Sequence, residues 1–176
     1  MLADCIYFYL QHSTDISFQY STFSTYKQRN LGKVLVLTLP DGYIMHVSDV
    51  VAADNRALDM TLLEHALATL EAAQWFEAGD VVVADSGFGG AILPTGVELV
   101  TPSTIGSQSQ LETNQANSNR IISQVRFAVE NVHRSIKEFK LLHNTIDMKC
   151  FDNLHHLILF AAALSNHWRK HPSHSQ

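Results

Sequence analysis

The chain has few cysteines and no long apolar run. Its 176 residues include only Cys5 and Cys150, which are too few and too far apart to form a disulfide framework. No apolar stretch approaches the roughly 20 residues that a membrane-spanning helix needs. The opening Met-Leu-Ala-Asp carries an acid where a signal peptide has positive charge. These absences predict a soluble, intracellular protein with reduced cysteines.

Motifs of several common enzyme classes are also absent. The sequence has no glycine-rich phosphate loop, no Walker lysine and no Gly-x-Ser-x-Gly elbow, which argues against NTPases and α/β-hydrolases. With 46% apolar and 16% charged residues, its composition is that of a folded chain rather than a disordered one. We predict one domain over residues 1–170 and a flexible tail at 171–176.

Charge is distributed unevenly along the chain. Residues 1–119 hold 4 Lys/Arg against 13 Asp/Glu, whereas residues 120–176 hold 8 against 4 and carry 7 of the 10 histidines. An anionic partner such as nucleic acid would therefore meet the C-terminal third first. A solvated helix face is the simpler explanation of the same pattern, and charge alone leaves both open.

Runs of β-branched and aromatic residues predict strands at 5–10, 34–37 and 43–47. The last two flank Pro40-Asp41-Gly42, which is typical of a β-hairpin. The run 81–84 is apolar throughout, as in a strand buried in the middle of an α/β sheet, and a short strand is predicted at 97–100.

Apolar residues spaced by three and four predict helices. The first begins near Asp59, which is placed to help cap it. A polar stretch over 102–119 is predicted to be a loop or a frayed helix start. A long helix and a last helix at 153–168 follow. The two apolar stripes are Leu62, Leu63, Ala66, Leu67, Leu70 and Ala73, then Ile122, Val125, Val129, Val132, Ile136 and Phe139. This order of elements predicts a layered α/β domain with a mixed sheet.

Three acids occupy places where a site is expected. Asp4 opens the first strand, Asp85 leaves the buried strand, and Glu130 lies on the long helix. Sites in open α/β sheets gather at the strand exits. Each acid also has a structural explanation: a solvated terminal residue, an Asp-Ser-Gly turn, and a helical ion pair with Arg126 or Arg134.

Short motifs surround these acids in a defined order. They are Asp4-Cys5-Ile6-Tyr7, Phe23-Ser24-Thr25-Tyr26-Lys27, Pro40-Asp41-Gly42-Tyr43-Ile44, Asp59, Asp85-Ser86-Gly87-Phe88 and Arg126-Phe127-Ala128-Val129-Glu130-Asn131. In order and spacing they resemble the catalytic domain of Harbinger-type (PIF/Harbinger) DDE transposases, from Asp4 to about Asn166. Ile6 differs from the Thr that is usual in that family, and Arg134 stands where Gly is common.

The resemblance implies an RNase H-like mixed sheet flanked by helices, with an N-terminally truncated first strand. It also implies a divalent-metal-dependent DNA endonuclease and strand transferase, located in the nucleus. Asp4, Asp85 and Glu130 would be its catalytic residues and would bind two Mg²⁺ or Mn²⁺ ions. The chemistry agrees, because three close carboxylates stay ionised only with cations between them, and hard oxygen ligands suit these metals.

The same resemblance gives the basic C-terminal region a role. Arg126, Arg134, Lys137 and Lys140 are candidates for holding DNA phosphates, although Arg126 could instead orient Glu130. A separate DNA-binding protein could supply sequence specificity. The alternative function is a domesticated or truncated, catalytically inactive interaction module, since a pI near 6.0 fits poorly with unaided DNA binding.

A zinc site is a further hypothesis. Cys150, His155, His167 and His171 have Cys-x4-His and His-x3-His spacings, but the paired cysteines of a Cys2His2 site are missing. The competing interpretation places His155 on a helix surface and His167 and His171 in a flexible end.

Overall fold

The computed structural model describes residues 1–53, 58–69, 74–103 and 113–168. The strands in chain order are β1 (Leu2–Tyr9), β2 (Phe23–Ser24), β3 (Arg29–Thr38), β4 (Ile44–Val47), β5 (Val51–Ala52), β6 (Val81–Ala84) and β7 (Glu98–Val100). The helices are α1 (Ile16–Thr22), α2 (Asp59–Thr69), α3 (Thr113–Lys137), α4 (Lys140–His143) and α5 (Leu154–Trp168).

The strands form one mixed sheet in the order β2-β3-β1-β6-β7, with β4 and β5 also paired to β3. β1 is antiparallel to β3 along its whole length. It runs parallel to β6, where Leu2 pairs with Val83 and Ala3 with Ala84. The predicted mixed α/β architecture is therefore confirmed. Asp4 is the third residue of an eight-residue β1 and lies opposite Val36.

The two faces of β1 contact different helices, because successive side chains of a strand point to opposite sides. Ile6 and Phe8 belong to a core with α3 and α5. Ala3 and Cys5 belong to a second core with α2. By the same alternation Asp4 faces α3, whereas Tyr7 and its cross-strand partner Lys33 are on the α2 side. β1 thus has a polar side chain on each side of the sheet: Asp4 towards α3 and Tyr7 towards α2.

Most of the predicted elements are present. The β3–β4 hairpin, β6, β7, α2, α3 and α5 lie where their patterns indicated. Polar residues 113–119 form the first turns of α3, and Phe139 lies beyond its end. Leu70, Ala73 and the tail at 171–176 lie outside the described residues. Both cysteines are free.

β5 and α4 have no predicted counterpart, and β1 covers Leu2–Tyr9 rather than 5–10. Three further details differ from the sequence-based predictions. α1 and β2 occupy a stretch with no predicted element, and the side chain of Asp15 caps α1 by accepting from the Phe18 amide. Asp59 is the first residue of α2 rather than its cap. Val81 is 36% exposed rather than buried on both faces. In the ranges described above, no helix is both long and apolar enough to cross a membrane.

Candidate active site

Strand register brings the two predicted aspartates together. Ala3 pairs with Ala84 in the parallel β1–β6 pair, so the following residues, Asp4 and Asp85, are neighbours at this point of the sheet. The Asp4 side chain is 17% exposed and that of Asp85 is 47% exposed. One carboxylate is therefore largely buried and the other faces the solvent.

Arg126 of α3 links these carboxylates. Its Nη2 lies 3.3 Å from Asp4 Oδ2, and its Nη1 lies 3.4 Å from Asp85 Oδ1. The Arg126 side chain is itself 18% exposed. A single guanidinium thus offsets the repulsion between two acids that the sheet places side by side. The sequence predicts that Arg126 pairs with Glu130 or holds a phosphate, and it gives no sign of the contact with both aspartates.

Backbone amides fix each aspartate. Asp4 Oδ1 accepts a hydrogen bond from the Cys5 amide at 2.8 Å. Asp85 Oδ1 accepts from the Ser86 amide at 2.7 Å, and Asp85 caps the 3₁₀ turn Ser86–Phe88. Burial raises the pKa of Asp4, and the nearby Arg126 and the Cys5 amide only partly offset that effect. Holding Asp4 ionised in this position therefore costs free energy.

Glu130 is one helical turn after Arg126 and is exposed. Its negative charge acts to raise the pKa of His133, which lies three residues further along α3. The structure thus joins Asp4 and Asp85 through Arg126 and places Glu130 outside that contact. Among the residues with described positions, no three His, Cys, Asp or Glu side chains are grouped closely enough to hold a metal ion.

A cleft of about 510 Å³ opens beside Asp85 on the α2 side. Lys33, which is 5% exposed, forms an ion pair there with Asp59 Oδ1. A Cβ atom built on Gly87 would lie 2.6 Å from Asp59 Oδ2. Asp59 therefore packs directly against the turn that carries Asp85. The cleft is lined by Tyr7, Ser24, Tyr26, Lys27, Lys33, Ala53, Leu58, Asp59, Asp85 and Gly87.

The sequence contained a signal for this buried pair. Lys33 interrupts the otherwise apolar run from Leu31 to Leu37, and a buried lysine is rare without a partner. Its partner Asp59 had been singled out only as a helix start and as part of the family resemblance.

The candidate phosphate ligands differ in accessibility. Arg134 and Lys140 are exposed. Lys137 is half-buried, with its Nζ 6.0 Å from the Phe8 ring centre, and burial lowers its pKa. Arg126 is engaged by the aspartates. Arg134 and Lys140 thus remain the accessible pair.

The zinc hypothesis gains no support from the placement of its residues. His155 Nε2 lies 3.6 Å from Asp49 Oδ1, outside the predicted ligand set. His171 is outside the described residues. Cys150, His155 and His167 lie within the described residues, and no three His, Cys, Asp or Glu side chains there are close enough to hold a metal ion.

The donors at the aspartate junction suit a hard divalent cation. Carboxylate oxygens are the ligands that Mg²⁺ and Mn²⁺ prefer, and Asp4 and Asp85 present them from adjacent strands.

Comparison with known proteins identifies the family. Searches of curated proteins and of solved structures found no match. The family described as DDE superfamily endonuclease matches residues 3–166, a range that includes Asp4, Asp85, Arg126 and Glu130. Because this match covers most of the sequence, the chain belongs to the DDE superfamily endonuclease family.

Proposed function

We propose that this chain is the catalytic domain of a transposase-type DNA endonuclease and strand transferase that depends on divalent metal. The observation that carries the proposal is the Asp4–Arg126–Asp85 junction, where a carboxylate of β1 and one just after β6 meet Arg126 of α3 in a chain that belongs to the family. The order and spacing of the motifs support the Harbinger subtype and an RNase H-like fold. The nuclear location follows only from the resemblance to Harbinger-type transposases.

Asp4 and Asp85 would bind two Mg²⁺ or Mn²⁺ ions, with Glu130 completing the set from α3. When bound, such ions activate a water or 3′-hydroxyl and stabilise the leaving oxygen of the phosphodiester. The capped turn fixes the direction of the Asp85 carboxylate. Arg126 keeps the two aspartates together, and its planar guanidinium is also suited to a phosphate oxygen.

The second candidate is the catalytically inactive, domesticated interaction module. It is favoured by one specific observation: Arg126 bridges Asp4 and Asp85, whereas Glu130 lies outside their contact. In that case the acids would be retained as a structural ion pair, and DNA or protein binding would occur without cleavage.

A plasmid-nicking assay separates the two candidates. The full chain is incubated with supercoiled DNA in Mg²⁺, Mn²⁺ or EDTA, beside Asp85→Asn and Glu130→Gln. Glu138→Gln, which changes an exposed acid just after α3, is the matched control. We expect wild type and control to nick DNA only with a divalent ion, and both site variants to lose roughly 100-fold or more in rate.

Two outcomes would contradict the proposal. Equal nicking by wild type, Asp85→Asn and Glu130→Gln would show that the site is assigned wrongly. No nicking by wild type in either metal would remove the enzymatic function and favour the inactive module. Circular dichroism of each variant shows whether the fold is intact.

A further inference from the structure

A row of cation–aromatic contacts leads away from the Asp85 cleft. Lys33 Nζ is 5.7 Å from the ring centre of Tyr7 inside the cleft. Lys27 Nζ is 4.8 Å from the ring centre of Tyr26. The Arg29 guanidinium is 4.9 Å from the ring centre of Tyr9. We call Tyr7, Tyr9, Tyr26, Lys27 and Arg29 the basic-aromatic track.

Backbone geometry places these side chains along one path. Tyr7 and Tyr9 are two residues apart in β1 and therefore share a face. Tyr26 and Lys27 occupy the turn between β2 and β3 and also line the Asp85 cleft. Tyr9 and Arg29 line a neighbouring groove of about 330 Å³. The track thus connects the cleft to the adjoining surface.

The turn that presents Tyr26 and Lys27 is held by its own polar groups. The Lys27 amide donates to Ser24 Oγ at 3.3 Å, and Gln28 Nε2 donates to the Thr25 carbonyl. Gln28 has a φ of +55°, a backbone conformation that residues other than glycine seldom adopt. The two exposed side chains are therefore carried by a defined turn.

Positive charge is concentrated on this face. Residues 1–119 contain 4 Lys/Arg against 13 Asp/Glu. Two of those four, Lys27 and Arg29, are exposed and lie beside tyrosine rings, whereas the charge of Lys33 is paired with Asp59. Cations grouped within an otherwise acidic region favour an anionic ligand at this place.

The tyrosines decide which anion fits. Tyr26 is 84% exposed and Tyr9 is 38% exposed, so both rings offer surface to a ligand. Bases of a duplex are stacked on one another, whereas unpaired bases are free to stack on aromatic side chains. Neighbouring Lys27 and Arg29 would meet the phosphates between such bases.

We infer that the basic-aromatic track binds single-stranded DNA next to the Asp85 cleft, with Tyr9 and Tyr26 as stacking platforms and Lys27 and Arg29 as phosphate contacts. This inference rests on the proposed function for the identity of the nucleic acid. It adds an unpaired substrate segment that the acidic triad does not require.

Binding can be measured apart from cleavage. Fluorescence anisotropy in EDTA is recorded on the Asp85→Asn background with a labelled oligo-dT of about 12 nucleotides and with a blunt duplex of equal length. We expect tighter binding of the single strand. Tyr26→Ala and Tyr9→Ala should each weaken it by about tenfold, and Tyr26→Trp should restore it.

Matched controls keep the result specific. Tyr43→Ala removes a tyrosine that is 39% exposed, close to the exposure of Tyr9, and should leave the affinity unchanged. Lys27→Gln and Arg29→Gln should each reduce the salt slope of single-strand binding by about 0.7, whereas Lys149→Gln should not. Thermal melting of each variant reports its folding.

The inference and the proposed function fail separately. Unchanged affinity in folded Tyr9→Ala and Tyr26→Ala, or equal affinity for duplex and single strand, would overturn the track even if nicking is observed. Tyrosine-dependent binding without nicking by wild type would retain the track and remove the nuclease.

Discussion

At the residue scale, Asp4 lies where burial disfavours the ionised carboxylate that the proposed metal binding requires. Its pKa is raised above the ordinary value, chiefly by burial. The protonated form is therefore the one that folding favours. The stability linked to this group is present below the ordinary pKa of aspartate and is lost as pH rises through the folded value. Ionisation of the Asp4 carboxyl therefore costs more free energy in the folded protein than in the unfolded chain.

Asp4→Asn should therefore not destabilise the fold at pH 7. We expect a change between zero and about 1 kcal/mol in the stabilising direction, together with loss of nicking, as for other functional residues held in unfavourable environments. Urea denaturation at pH 7 measures the first effect and the plasmid assay the second. A loss of more than about 1 kcal/mol would instead make the ionised Asp4–Arg126 pair structural, as the inactive module requires.

At the element scale, the Lys33–Asp59 ion pair joins β3 to α2. The side chain of Lys33 is 7% exposed and that of Asp59 is 22% exposed. Through Gly87, the same carboxylate supports the turn of Asp85. The packing of α2 and the position of a proposed catalytic residue are thus coupled.

Removing the carboxylate that faces the buried Lys33 charge should be costly. We expect Asp59→Ala to lower the free energy of unfolding by about 3 kcal/mol. The double variant Lys33→Met/Asp59→Leu should recover much of this loss, because apolar groups of similar volume replace the charges. Asp49→Ala, at the 89% exposed partner of His155, should cost under about 0.5 kcal/mol. Urea denaturation of the single and double variants measures these free energies. A double variant that loses the sum of the losses of its two single variants would contradict the coupling between Lys33 and Asp59.

The helices and strands differ in how well the sequence predicts them. α3 and the β3–β4 hairpin were predictable because their patterns are local: a three-and-four stripe, and two strand-like runs around Pro40-Asp41-Gly42. α1 and β2 were not, since seven and two residues in a polar stretch give too weak a periodicity.

The candidate site, too, was predictable from the sequence only in part. The aspartates were identified from their motifs, but their proximity depends on Ala3 pairing with Ala84 across about 80 residues of chain, which no local pattern encodes. Which acids Arg126 contacts depends on how α3 packs against β1. Helical spacing favoured Glu130, whereas tertiary contact brings Arg126 to Asp4 and Asp85.

At the scale of the whole molecule, packing of α3 and α5 on the sheet buries histidine as well as apolar side chains. His133 Nε2 is buried and has no hydrogen-bond partner in the described part of the chain. Burial, with the nearby charge of Lys137, lowers the pKa of His133 to about 4, against the opposing effect of Glu130. Burial and His155 also lower the pKa of His46. The folded state therefore keeps both histidines neutral at pH values where the unfolded chain is protonated.

His133 and His46 should accordingly make the fold less stable on mild acidification, against the opposite contribution of Asp4. A histidine whose pKa is lowered on folding stabilises the protein above its ordinary pKa near 6.5, and this contribution disappears as pH falls towards the folded value. With a folded pKa of about 4, we expect His133 to contribute a loss of about 2 kcal/mol between pH 7 and pH 5. Urea denaturation at both pH values should show this loss in wild type and in His156→Gln, an exposed histidine on α5, and a clearly smaller one in His133→Gln. An identical pH dependence in His133→Gln would mean that folding does not lower the pKa of His133, so that water reaches the imidazole in the folded protein.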